Sequence, residues 1–128
     1  MKAGDTFLIP QPGTSLDSHL WVVISDPQQD AGRILIVNFT TLRDGSDRSC
    51  IVKRGEHHYI QHDTCVSYVG AKVVSAAKLD QLSAAKLLQN NVAVSPELLA
   101  RIRLGAADSE RMSMDHAELL IQQGLLDC

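Results

Sequence analysis

The sequence contains few aromatic residues and few cysteines. Aromatic residues make up 4% of the 128 residues, whereas 45% are hydrophobic, so the core must consist mainly of Val, Ile, Leu and Ala. The three cysteines follow no regular spacing. This argues against a disulfide framework and predicts a reducing compartment, the cytoplasm.

The sequence also lacks a long apolar run and an excess of basic charge. No run approaches the roughly 18 residues that a membrane-spanning helix needs, and the first residues do not resemble a secretory signal. We therefore expect no membrane partner. The net charge of −3 provides no global basic surface for nucleic acid. Locally, Arg43, Arg48, Lys53 and Arg54 lie close together, but nearby acidic residues offset three of these four charges.

The length of the chain is close to the commonest size for one domain. Short β-rich runs precede residue 75, and Ala, Leu, Gln and Lys recur at helical spacing after it. No repeat or low-complexity linker separates the two parts. We therefore predict a single α+β domain over residues 1–128. Residues 1–75 would form an antiparallel sheet of five or six strands, and residues 76–128 a helical extension.

Turn residues divide the β-rich part into five strand-like runs. Pro, Gly and small polar residues mark a loop at Gln11–Ser15. The second and third runs are almost continuously apolar, which predicts burial on both faces and makes Trp21 a core residue. The pattern of residues 59–65 is ambiguous and assigns no secondary structure. The predicted strands are Thr6–Pro10, Leu20–Ser25, Ile34–Thr40, Ser49–Val52 and a late strand within Val66–Val74.

Three helices are predicted in the second part. The first spans Ala76–Gln89. The second begins at the cap Ser95 with Pro96 in its first turn and ends before Gly105, and the third runs from the cap Ser113 to Gly124. The apolar residues expected to be largely buried, within the domain or against a partner, are Leu98, Leu99, Ile102, Leu119, Leu120 and Ile121.

Chemically active side chains concentrate in residues 50–65. This window holds three of the five histidines and two of the three cysteines: His57, His58, His62, Cys50 and Cys65. Histidine exchanges protons near neutral pH and is a common metal ligand. The window is therefore the best candidate for a functional site.

Three features of the β-rich part form a recognisable pattern: the opening Gly4-Asp5, the strand His19–Ser25 and the strand Ile34–Thr41. Over residues 3–75 this pattern resembles the PemK/MazF group of bacterial toxins. The resemblance implies a small, strongly curved SH3-like barrel. It also implies a cytoplasmic endoribonuclease that forms a homodimer and has an antitoxin or other protein partner.

The resemblance also assigns individual residues. His19 occupies the place of the family's catalytic Arg, and Thr40 or Thr41 that of its catalytic Thr or Ser. Leu20 replaces the family's usual Pro after the basic residue. The segment from Glu56 to Thr64 and the helical tail lie outside the family pattern.

Cleavage of RNA through its own 2′-hydroxyl requires a base, an acid and a positive group near the phosphate. We assign the base and acid to His58 and His62, with His19 and Thr41 completing the catalytic set. The predicted substrate-binding residues are Lys53, Arg54, Thr64 and Tyr59. This chemistry needs no metal and no other cofactor.

Two other interpretations remain open. Cys50, His57 or His58, His62 and Cys65 could bind tetrahedral zinc, although structural sites usually take ligands from close Cys pairs. Alternatively, the chain is a non-catalytic SH3-like module that binds protein or nucleic acid and docks a partner on its helical tail. In that case the cysteines act as small apolar residues, and His57, next to Glu56, is solvated.

Overall fold

The computed structural model describes residues 1–9 and 19–126. The predicted loop Gln11–Ser15, the end of the first predicted strand at Pro10 and the last residue, Cys128, lie outside these ranges. No helix in the described ranges is long and apolar enough to cross a membrane. The elements are β1 (Thr6–Ile9), β2 (His19–Val23), β3 (Ile34–Thr41), β4 (Ile51–Val52), β5 (Thr64–Val74), α1 (Ala76–Ala84), β6 (Gln89–Asn91), α2 (Pro96–Asp108) and α3 (Met114–Gln122).

The six strands form one antiparallel sheet in the order β4-β5-β3-β2-β1-β6. With the three helices, the curled half-barrel sheet confirms the α+β prediction. A bulge in β5 contributes to the bend, since Val37 on β3 faces the four residues Tyr68–Ala71. Gly70 lies in this bulge, where a Cβ atom would approach Asn38 Oδ1 to 3.0 Å.

The two central strands are buried on both faces, as the apolar runs predicted. Leu20 of β2 and Leu35 of β3 belong to a large cluster packed by α2 and α3. Trp21 and Ile36 face the other way, into a smaller cluster that Leu79 of α1 helps to cover. The predicted core position of Trp21 is confirmed, because only 9% of this residue is exposed.

The predicted helix over Ala76–Gln89 is too long by five residues. Helix α1 ends after Ala84, and Lys86 adopts a left-handed backbone with φ of 59°. The amide of Leu87 donates to the Leu82 carbonyl at 2.8 Å, which completes a Schellman-type end. The chain then forms β6, which pairs with β1. Residues beyond position 75 therefore contribute a strand as well as helices, because β1 offers an edge for pairing.

The prediction that α2 ends before Gly105 is wrong, because Gly105 lies inside the helix, which continues to Asp108. A Cβ atom here would collide with the Tyr68 hydroxyl and lie 3.0 Å from the Ser49 carbonyl oxygen. The buried Tyr68 hydroxyl donates to the Ile102 carbonyl at 2.6 Å, and burial raises the pKa of Tyr68. Gly105 thus permits α2 to pack closely against β5.

The predicted helix burial is correct for four of the six residues. Leu98, Ile102, Leu119 and Leu120 are buried, whereas Leu99 is half-buried and Ile121 is 37% exposed. The neighbouring apolar residues Leu104 and Met114 are 61% and 84% exposed. The apolar residues of α2 and α3 therefore span a wider arc of each helix than the part that the sheet buries.

Candidate active site

A cleft of about 210 Å³ lies where the start of β2 and the end of β3 meet the loop before β5. Its apolar lining is Leu20, Phe39 and Ile60. Its polar lining is His19, Thr40, Thr41, Tyr59, Gln61, His62 and Thr64. We call it the His19–His62 cleft. It brings together five of the eight residues that the sequence singled out for catalysis or substrate binding.

The strand pairing explains this meeting of distant residues. Strand β2 runs antiparallel to β3, so His19 at the start of β2 lies at the same end of the sheet as Thr41 at the end of β3. Strand β5 begins at Thr64, which pairs with Thr41. The loop that leads into β5 is thereby placed over the same sheet end.

Thr41 and His62 are in direct contact in the cleft. The Thr41 Oγ1 atom lies 3.0 Å from His62 Nε2. The Thr64 hydroxyl donates to the His62 carbonyl at 2.9 Å and is buried. Thr64, expected to bind substrate, thus fixes the backbone of His62, whereas the Thr41–His62 pair can exchange or relay a proton.

His19, the first residue of β2, is half-buried in the cleft. Its Nδ1 atom lies 3.4 Å from the Phe39 carbonyl oxygen, a long hydrogen bond. A carbonyl oxygen only accepts, so Nδ1 carries the proton in this arrangement. In the neutral ring, Nε2 of His19 is then left as a proton acceptor.

His57 and His58 differ from their expected positions. Residues 57–60 form a turn, closed by the Ile60 amide donating to the His57 carbonyl at 2.9 Å. The two rings therefore stack, with centroids 4.8 Å apart. His57 is only 5% exposed, so the expectation that it is solvated is wrong. His58 is exposed and is not among the residues that line the cleft.

Lys53 and Arg54 lie in a turn beside the cleft and are also absent from its lining. The Lys53 ammonium is 3.9 Å from the Asp63 carboxylate, and both groups are exposed. The Lys53 amide donates to Glu56, which forms an ion pair with Arg101 of α2. The hydrogen bond from Arg101 lowers the pKa of Glu56. Helix α2 thereby holds this turn.

Cys50 and Cys65 are buried free cysteines, and burial raises the pKa of both thiols. Cys50 packs within the large apolar cluster. Across residues 1–9 and 19–126, no group of three or more His, Cys, Asp or Glu side chains is arranged to hold a metal ion. Both cysteines occupy the positions of small apolar residues.

Sequence reasoning missed two residues of the loop before β5 that line the cleft. Gln61 lines it, and its amide donates to the His58 carbonyl at 2.6 Å. Ile60 is buried and anchors the loop in the large cluster. The apolar type of Ile60 signals burial, but only the tertiary structure reveals where the loop lies.

No protein-family model and no curated protein sequence matches this chain. The PemK/MazF resemblance of residues 3–75 therefore stays a prediction from the sequence.

Proposed function

We propose that this protein is a metal-independent endoribonuclease of PemK/MazF type, which cleaves RNA through the 2′-hydroxyl group. The observation that carries the proposal is the shared cleft of His19 and His62, with the Thr41 hydroxyl 3.0 Å from His62. Two histidines in one cleft supply the base and the acid that this reaction needs. The assignment moves the base from His58 to His19.

In this mechanism, Nε2 of His19 takes the proton of the 2′-hydroxyl, since Nδ1 already donates to the Phe39 carbonyl. The 2′-oxygen attacks the adjacent phosphorus, and the bond from phosphorus to the 5′-oxygen breaks. Protonated His62 gives its proton to the departing 5′-oxygen. The products are a 2′,3′-cyclic phosphate and a free 5′-hydroxyl, so atoms and protons balance.

Charge stabilisation in the cleft depends on its histidines and hydroxyls. No Lys or Arg is among the lining residues that the structure describes. We assign a protonated His62 and the Thr41 hydroxyl to the stabilisation of a negative phosphorane. Unlike an Arg, this arrangement works only while one histidine is charged and the other is neutral.

The proposal includes the finer features that the resemblance implies. The curled sheet would be SH3-like, and the protein would act in the cytoplasm as a homodimer under the control of an antitoxin. Exposed apolar side chains on the helices support a protein partner, since Leu104 and Met114 are mostly exposed. Apolar surface of this kind gains roughly 25 cal/mol per Å² when a second chain covers it.

The second candidate is a non-catalytic binding module for RNA or protein. It is favoured by the position of Lys53 and Arg54, which lie outside the cleft lining with exposed side chains. Tyr59, 41% exposed at the rim, offers a ring on which a base can stack. Such a surface can hold a single strand without cutting it.

Cleavage of labelled RNA in the presence of EDTA separates the two candidates. We expect the wild type and the His58→Ala variant to cut, and the His62→Ala variant to lose most activity. His58 is the matched control, because it is an exposed histidine of the same loop that does not line the cleft. Substrate with 2′-O-methyl groups should resist cleavage.

The opposite result is equally clear. If folded wild type cuts none of a varied set of RNAs, the endoribonuclease proposal fails. Fluorescence anisotropy with 2′-O-methyl RNA then measures whether the chain binds RNA as a module.

A further inference from the structure

The loop of residues 55–62 supplies four of the residues that line the His19–His62 cleft: Tyr59, Ile60, Gln61 and His62. We call it the cleft loop. Several of its hydrogen bonds are internal: the Gly55 amide donates to the Ile60 carbonyl at 3.3 Å, and the Ile60 amide donates to the His57 carbonyl at 2.9 Å. These bonds give the loop its shape but do not fix it to the sheet.

The side chain of His57 connects the cleft loop to the opposite edge of the sheet. Its Nε2 atom lies 2.6 Å from the Val92 carbonyl oxygen, directly after β6. The same carbonyl oxygen accepts the Thr6 hydroxyl of β1 at 2.6 Å. Val94 also donates its amide to the Gly4 carbonyl at 2.9 Å. The anchor point of His57 is therefore itself tied to β1.

The partners of His57 define its tautomer. The Val92 carbonyl only accepts, so Nε2 carries a proton. The Tyr59 amide only donates, and it points to Nδ1 at 3.1 Å. The neutral Nε2–H form satisfies both bonds at once. One ring thus shapes the turn through Tyr59 and holds it to Val92.

We propose that His57 is the positioning residue of the cleft, which sets the place of His62 and Tyr59 by fixing the cleft loop to Val92. Only the expected effect on catalysis rests on the proposed function. The positioning of His62 and Tyr59 by His57 would matter for any ligand of the cleft. The segment that follows β6 thereby contributes to the site, because it provides the Val92 carbonyl that anchors His57.

Three other contacts hold the loop, and they set what the loss of His57 can do. Ile60 is buried in the large apolar cluster, Glu56 at the start of the loop pairs with Arg101, and the Thr64 hydroxyl donates to the His62 carbonyl. The chain should therefore stay folded without His57. The freedom gained would lie between these anchors, in residues 57–61 and in the orientation of the His62 ring that contacts Thr41.

Nuclear magnetic resonance tests the proposal without RNA. Long-range ¹H–¹⁵N spectra of the wild type should show His57 in the Nε2–H tautomer. In His57→Ala, the His62 ring signals and the amides of residues 59–62 should shift, while core methyl signals stay in place. His57→Gln should restore them in part, because its amide can still donate to the Val92 carbonyl. His58→Ala, which removes only the stacked outer ring, is the control and should leave the His62 signals near wild type.

Two results would overturn the proposal. One is an Nδ1–H tautomer of His57, and the other is unchanged His62 and Tyr59 signals in folded His57→Ala. If His57→Ala does not fold, a folded His57→Phe variant, which keeps a ring but can make neither hydrogen bond of His57, decides. Displaced His62 signals in this variant support the proposal, and unchanged signals contradict it.

An activity measurement adds a second reading and separates this proposal from the proposed function. If the wild type cuts RNA, His57→Ala should lower kcat by roughly 100-fold, the loss expected from a displacement near 1 Å, with KM little changed. His57→Gln should recover much of it. If the wild type cuts no RNA, the proposed function fails, while the resonance experiment still decides the role of His57.

Discussion

The central strands and the cleft loop are held by different forces. Strands β2 and β3 are buried on both faces by apolar side chains such as Leu35 and Ile36. The cleft loop depends on polar contacts of His57, with Ile60 as its apolar anchor. The proposed site combines the two, since His19 and Thr41 stand on strands and His62 on the loop. In the proposed site, the apolar scaffold thus positions His19 and Thr41, and a polar, more easily altered loop positions His62.

The largest effect on stability should come from the strands. Leu35→Ala should lower the free energy of unfolding by about 3 kcal/mol, because it opens a cavity at a fully buried position. Gln61→Ala, on the exposed part of the loop, should cost less than about 1 kcal/mol. Urea unfolding measures both changes. Equal losses at the two positions would remove the contrast between scaffold and loop.

The packing of α2 against β5 comes next in size. Gly105→Ala should cost about 2 kcal/mol, because the new methyl group collides with the Tyr68 hydroxyl. In a Tyr68→Phe background the same substitution should cost less, since the hydroxyl oxygen is gone. A double-mutant cycle followed by urea unfolding measures this coupling. If the losses of stability in the two single variants simply add in the double variant, the Tyr68 hydroxyl is not the reason that position 105 needs a glycine.

Strands β2 and β3 and helix α2 also show how much of the fold the sequence predicts. The apolar runs at β2 and β3 identified the strands and their burial on both faces, because long apolar runs leave no solvated face. Ser95 and Pro96 located the start of α2, where Ser95 accepts the Leu98 amide at 3.1 Å. Gly105 misled the prediction of the end of that helix. Glycine also serves close packing, and only the position of Tyr68 distinguishes the two uses.

Strand β6 could not be predicted for a related reason. Gln89, Asn90 and Asn91 have no strong preference for a strand, and they pair because β1 presents an edge. The sequence did locate His19, Thr41 and His62 as candidates. It could not distinguish His57 from His58, because the burial of His57 depends on a carbonyl group 35 positions further along the chain.

The smallest effect should come from the ion pair that fixes the start of the cleft loop. Glu56→Gln should lower stability by no more than about 0.5 kcal/mol at neutral pH, because solvent screens the partly exposed pair with Arg101. Arg101 lowers the pKa of Glu56 from its ordinary value of 4.5, so the stabilising charge is present above that value. It is lost as the pH falls through the lowered pKa.

Urea unfolding of the wild type and Glu56→Gln as a function of pH measures this effect. The difference between the two proteins should vanish in acid. The exposed Glu118→Gln of α3 is the control and should show a smaller difference at neutral pH. A difference that grows on acidification would contradict the assigned role of Glu56.

The central claim is that His19 and His62 act as a base and an acid in one cleft. The most direct test is the pH dependence of the single-turnover cleavage rate on a short labelled RNA, in EDTA, for the wild type and for His19→Gln and His62→Gln. The wild-type rate should rise and then fall with pH, because one histidine must be neutral while the other is protonated. Each variant should lose most of the rate and one side of this profile. A flat wild-type profile, or variants that cut as fast as the wild type, would contradict the claim.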